Sequence, residues 1–235
     1  MTFKEKLLAF QIYIHILFFI GLVIFPISAT LPTIIISQII YAGICGTVFY
    51  HRVSAHKNQI NPFVEKFLIC LSWIGITSSA ISWAGVHRKH HRFSDTIKDP
   101  HSPKFIGKFK TYWQLSNNDQ DALKYVPDLM KKQWYVFQHK HYFKVLLMLH
   151  ITVVLLLPIQ WYWGVLIVPA FLMWCSGSII NMFCHDNHGP KNIDTIGVLT
   201  AGEGWHKNHH LDPSNPSFGH RADWGNVLYN LIKLK

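Results

Sequence analysis

Carboxylates, paired cysteines and evenly spread charge are what this 235-residue chain has least of. Asp and Glu number 12 against 22 Lys and Arg, and no set of them is arranged to hold magnesium or calcium or to bridge a carboxylate di-iron bundle. The four cysteines, Cys45, Cys70, Cys175 and Cys184, stand apart in apolar segments with no CxxC pair. That excludes a disulfide frame and a cysteine zinc site, and reads them as reduced packing residues. No low-complexity tract, solenoid-period repeat or Gly/Ser linker interrupts the chain, so residues 1–235 read as one domain.

Three stretches lack charge altogether: residues 7–50, 67–86 and 145–184 contain no Lys, Arg, Asp or Glu. About 20 such residues cross the hydrocarbon core as a helix. The first stretch holds two spans, with Pro26 and Pro32 marking the turn, and the third divides around Pro158 to Gly164. Four spans are expected, at about 8–27, 31–50, 145–162 and 165–185. Lys4 and Lys6 ahead of the first run, with small residues Ser28 and Ala29 after it, resemble a signal peptide. The run is longer than an h-region of roughly 7–15 residues and a second follows at once, so a retained anchor is expected.

With four spans, the outer turns at roughly 26–32 and 158–164 carry no charge, and every Lys and Arg falls on one face of the bilayer. By the positive-inside rule that face is cytoplasmic. Anionic headgroups then suffice as the partner for a net charge of +10, and nucleic acid binding is not expected.

What the chain does have is histidine, 16 in all. Eight fall in three clusters beside the apolar stretches: His51 and His56; His87, His90 and His91; His206, His209 and His210. Neutral imidazole is the commonest metal ligand. The second and third clusters are spaced i, i+3, i+4, which places three rings on one helical face, able to serve one metal or to bridge two. The first is spaced i, i+5, and on an α-helix its rings point about 140° apart. Either that helix unwinds or His51 and His56 serve different ions. His185 closes the last apolar stretch, with Asn181 one turn earlier, where an amide can hold a metal-bound water. Nine imidazoles exceed the needs of one ion and suit two.

The segment 67–86 is decided by these clusters. If it crossed the bilayer, the first and second would lie on opposite faces and could not share a site. Gly75 and the polar run Thr77, Ser78, Ser79 and Ser82 suit a helix lying in the interface, or one that dips in and returns. The fold class expected is therefore all-α integral membrane, with four transmembrane helices and a cytoplasmic helical cap, 51–144 and 186–235, that carries the three histidine boxes. The insert 87–144 reads as short helices over the cluster region.

All-imidazole ligation suits iron, copper, zinc or nickel. A metal pair at the mouth of an apolar cavity suits oxidation of an alkyl chain, for which iron is the usual choice. A hydroxylase on the same scaffold and a non-catalytic metal-binding membrane protein are the competing readings. The seven other histidines read as structural: His15 and His150 inside spans, His101, His139, His141 and His220 as surface or packing residues, and His188 outside the ligand set. Trp83 and Trp205 have the best claim to line an acyl tunnel. Glu203 and Asp212 are candidates to orient an imidazole through its other nitrogen, and Arg88, Arg92 and Lys207 to attract an anionic carrier.

The three boxes, the phrase from Asp95 to Pro103 (DTIKDPHSP) and the phrase from Gly202 to His210 (GEGWHKNHH) resemble the delta-9 fatty acyl desaturases, over about residues 40–215. The resemblance implies oxygen-dependent desaturation of a saturated acyl chain at two iron ions. It implies ligation by His51, His56, His87, His90, His91, His185, His206, His209 and His210, with Asn181 acting through water. No catalytic residue beyond the ligands is implied. Electrons are expected from a separate cytochrome b5 or ferredoxin, since no His-Pro-Gly-Gly heme motif is present. The substrate implied is an acyl-CoA or acyl-lipid, in an integral membrane protein whose termini and active site are cytoplasmic. After His185 the chain reads DNHGPK, a departure from the family's aromatic and Arg-Pro-Tyr pattern.

Overall fold

The computed structural model describes residues 2–75, 77–114 and 119–234. Helix α1, Phe3–Ile24, begins at a reciprocal cap. Glu5 N–H donates to Thr2 Oγ1 at 3.2 Å and Thr2 N–H donates to Glu5 Oε2 at 2.9 Å, so two otherwise orphaned donors are satisfied. After a break at Phe25 and Pro26, α2 (Ile27–Ser37) runs without interruption into a π-helix, Gln38–Ala55. Pro32 lies inside α2 and not in the turn where the sequence reading put it. Proline removes one helical hydrogen bond, and nearby the Thr33 hydroxyl donates to Ala29 O at 2.8 Å.

Among the described residues, three helical runs are long and apolar enough to cross a membrane: Phe3–Ile24, Ile27–Ala55 and Ile159–Phe183. The last comprises α9 (Ile159–Tyr162), a π-turn (Trp163–Ile167) and α10 (Val168–Phe183). The expected span 145–162 is not one helix. Its apolar residues form the second half of α8 (Gln133–Leu156), whose first half carries Lys140 and Lys144, and the chain breaks at Leu157 and Pro158 before α9. Pro158 lacks the N–H that continuation needs.

The segment expected to turn back does bend sharply. Helix α3 (Pro62–Leu71) with its 3₁₀ turn Ser72–Gly75 meets α4 (Ala80–Phe93) at 86°. Taken as a single broken span, this pair would be a fourth crossing. Backbone groups freed at a bend need partners. Tyr50 donates to Ser78 O at 2.8 Å, and Gln138 accepts from Ala80 N–H at 2.9 Å while donating to Ile69 O and Ser72 Oγ.

Two apolar cores hold the helices. One joins α1, α8 and α10, where the Phe18 and Phe171 rings stack at 3.7 Å and Gly21 leaves room for the Trp163 indole. The other joins the π-helix, α3, α4, α8 and α13 (Trp224–Ile232) through Phe49, Tyr50, Ile81 and Tyr135. Between α4 and α8 the insert carries short helices, α5 (Pro103–Ile106), α6 (Lys108–Tyr112) and α7 (Asp119–Ala122), while its last residues begin α8. After α10, a two-residue hairpin (β1, His185–Asp186; β2, Gly189–Pro190) precedes α11 (Asp194–Leu199) and α12 (His206–Leu211).

Candidate metal centre

The nine expected histidines converge as two groups. His51, His56, His87, His91 and His209 form one; His90, His185, His206 and His210 form the other. Within each group one nitrogen per ring lies within 4.8 Å of all the others.

Helix geometry sorts the histidines. The i→i+5 bonding of the π-helix, including His56 N–H to His51 O at 3.1 Å, brings residues five apart onto one face. The two rings therefore lie 4.9 Å apart and enter the same group. The 140° separation expected of an α-helix does not arise, because the helix is not α there. On α4 the i, i+4 pair His87 and His91 serves the five-histidine group while His90 serves the other; on α12 the pair His206 and His210 serves the four-histidine group while His209 crosses over. Helices α4 and α12 thus each contribute to both groups, and the π-helix to one.

The ring nitrogens fit a metal. Nε2 pairs stand at 3.0 Å (His51 and His209), 2.9 Å (His56 and His87), 2.8 Å (His91 and His209), 3.3 Å (His90 and His210), 2.9 Å (His185 and His206) and 3.1 Å (His206 and His210). Two nitrogens about 2.1 Å from one ion and at right angles stand about 3.0 Å apart. Three rings are fixed from behind by carboxylates. His51 Nδ1 meets Glu203 at 2.5 Å, His90 Nδ1 meets Asp99 at 2.9 Å and His185 Nδ1 meets Asp95 at 2.8 Å. A proton held at Nδ1 leaves the Nε2 lone pair facing inward. Burial, and then the neighbouring rings, lower the His206 and His209 pKa values and bring His210 down to about 2. These three rings are thus neutral donors at physiological pH.

Glu203 was anticipated in this orienting role; Asp212 does not reach the site and accepts instead from Ser214 at 2.8 Å. Asp95 and Asp99 were not singled out for it. Their signal lay in the phrase DTIKDPHSP, where both carboxylates follow the second box within eight residues of His91. Of the surface and packing alternatives expected for His101, the structure shows packing: it is 5 % exposed, its ring tilted against His90 with centroids 4.4 Å apart. Arg88 is likewise structural, donating to Asp128, Ala55 O, Tyr125 O and Ser54 O.

A cavity opens against His51, His87 and His206 and is lined by Asn181, Trp83 and Trp174. The Trp83 indole lies flat on His87 at 4.9 Å. Trp205, the other tunnel candidate, packs elsewhere: it donates to Asp194 at 2.9 Å and stacks on His220. His15 and His150 stay within the bundle, bonded to Tyr112 at 2.6 Å and Tyr162 at 2.9 Å.

The sequence model of the family described as "Fatty acid desaturase" matches residues 24–227. The chain belongs to the fatty acid desaturase family. It is 29 % identical to Delta-9 acyl-lipid desaturase 1 of Arabidopsis thaliana, over 92 % of this chain and 74 % of the relative. It is 27 % identical to the sn-1 stearoyl-lipid 9-desaturase of Anabaena variabilis, over 92 % and 86 %, and to the Delta(9)-fatty-acid desaturase fat-7 of Caenorhabditis elegans, over 94 % and 72 %. The desaturase is thus an oxidoreductase of a family that uses iron and dioxygen on fatty acyl chains.

Proposed function

We propose that the two histidine groups are the ligands of two iron ions: His51, His56, His87, His91 and His209 for one, and His90, His185, His206 and His210 for the other, with Asn181 acting through water. The reading rests on one observation, the sorting of nine buried or half-buried imidazoles into groups of five and four with converging nitrogens. Iron, when bound, supplies the oxidising power that an unactivated C–H bond requires. The protein's own work is to hold the ligands, keep water out and present the chain methylenes in the cavity beside His51, His87 and His206. Two hydrogens leave the saturated chain and, with two electrons and two protons from outside, reduce one dioxygen to two waters.

Relatives named as acyl-lipid 9-desaturases favour a delta-9 double bond on an acyl-lipid, with an acyl-CoA as the other carrier. A separate cytochrome b5 or ferredoxin supplies the electrons. The chain functions as one domain, residues 1–235, with four crossings and a cap, 51–144 and 186–235, on the cytoplasmic side with both termini. The charge-free outer turns support that orientation.

The test is the fatty acid profile of a host expressing this chain, by gas chromatography and mass spectrometry, beside His206→Ala. New monounsaturated chains, absent with His206→Ala, are expected, and derivatised fragments locate the double bond. Hydroxylated chains would replace this reading with a hydroxylase. An unchanged profile, with iron bound and a donor supplied, would sink it.

A further inference from the structure

The two histidine groups are backed unequally. Behind the five-histidine group stands Glu203, whose charge is matched by Arg52 at 3.1 Å. Behind the four-histidine group stand Asp95 and Asp99, and among the described residues neither has a Lys or Arg within ion-pair distance. Both belong to the loop joining α4 to α5, and that loop is built around them. Asp95 N–H donates to Asp99 Oδ2 at 2.8 Å, Ser102 Oγ donates to Asp95 Oδ1 at 2.9 Å, and His101 N–H donates to Asp99 Oδ1 at 3.0 Å. Asp95 itself is left-handed, with φ at 56°, a conformation that Asp and Asn adopt more readily than other non-glycine residues. The loop thus fixes two carboxylates and aims each at one histidine of the same group.

We propose that Asp95 and Asp99 are positioning residues dedicated to the four-histidine site, an anionic clamp whose removal releases one metal ion and spares the other. The inference rests on the ligand assignment above. Its physical basis is twofold. A carboxylate at Nδ1 fixes ring orientation and raises ligand basicity, and two unneutralised negative charges favour a cation at the site they back. His90 and His185 receive both effects from this loop. The five-histidine group draws no carboxylate from it.

The experiment loads the full chain with ⁵⁷Fe in detergent, dialyses it against a chelator, and measures iron per chain together with the Mössbauer spectrum. Wild type is expected to keep two irons. Asp95→Asn with Asp99→Asn, which retains a hydrogen-bond acceptor but removes charge, is expected to keep one, with one iron environment lost and the other unchanged. Asp95→Asn alone preserves the left-handed turn and serves if the double variant does not fold; it is expected to speed loss of one iron about tenfold or more. Two irons retained with both environments unaltered, or both lost in step, would overturn the clamp while leaving the desaturase reading intact. A wild-type chain that holds no iron at all would instead sink that earlier reading.

Discussion

Nδ1 of His51 lies 2.5 Å from Oε2 of Glu203, in a setting that excludes water from both. Glu203 is 6 % exposed, and burial pushes its carboxyl pKa up against the pull of Arg52. Glu203→Ala removes the group that orients His51. Orienting partners of this kind are worth about 10–100-fold in metal affinity, and chelator competition should show a loss of that size. Unchanged affinity would mean that His51 holds its orientation without Glu203.

Arg52 is buried and fully committed to partners. Its guanidinium is 1 % exposed and donates to Glu203, Asp223, Thr47 O and Pro216 O. Asp223 also caps α13, accepting from Asn226 N–H. Arg52→Met leaves two buried carboxylates without a countercharge, and breaking such a network costs about 3–5 kcal/mol. Chemical denaturation in detergent should report a drop of that order; a change under about 1 kcal/mol would contradict it.

The glycines around the third box divide into crowded and free. A Cβ on Gly204 would sit 2.1 Å from Gly197 N, whereas one on Gly177 meets nothing within 4 Å. Gly204→Ala should lower stability by about 1–3 kcal/mol through overpacking. Gly177→Ala, in the interior of α10, should raise it by up to about 1 kcal/mol through helix propensity. Thermal unfolding of the pair checks both signs at once.

Acid should unfold the metal-free protein early. Burial brings His56 to about 3 and His210 to about 2, and lowers His206 and His209 as well. Below about pH 6.5 the unfolded chain takes up protons that these folded rings refuse. Stability is therefore present above pH 6.5 and lost as pH falls below it, by up to about 1.4 kcal/mol per pH unit for each such ring. Denaturation curves at pH 7.5, 6.0 and 5.0 should fall in that order, and bound metal should move the loss to lower pH by competing with protons for the rings. Curves that coincide would refute the assignment of neutral buried rings.

Much of the site was legible because its chemistry is written in residue type and spacing. Imidazoles at i and i+4 must share a helical face, as His87 with His91 and His206 with His210 do, and a long charge-free run can be little other than a buried or lipid-facing helix. What the sequence withheld depends on backbone geometry that composition does not encode. The π-helix placing His51 beside His56 leaves no mark in residue type, and neither does the left-handed Asp95. The burial of His101 follows from a loop folding back on α4, a tertiary contact. The bounds of the third expected span differ for a subtler reason: α8 starts in polar sequence at Gln133 and gathers its apolar half from 145–156.

The widened turn between His51 and His56 lets a five-residue spacing do what four residues do elsewhere in the site. A π-helix carries one more residue in each hydrogen-bonded ring than an α-helix does, and α is the geometry most sequences prefer. Removing a single residue between the two histidines would let this stretch relax to the commoner form and leave the rings four apart, still on one face, as His87 and His91 are on α4. Relaxing to α without the deletion would instead turn the rings about 140° apart. The extra residue and the widened turn are a matched pair, and a chain that kept one without the other would scatter its first two histidines.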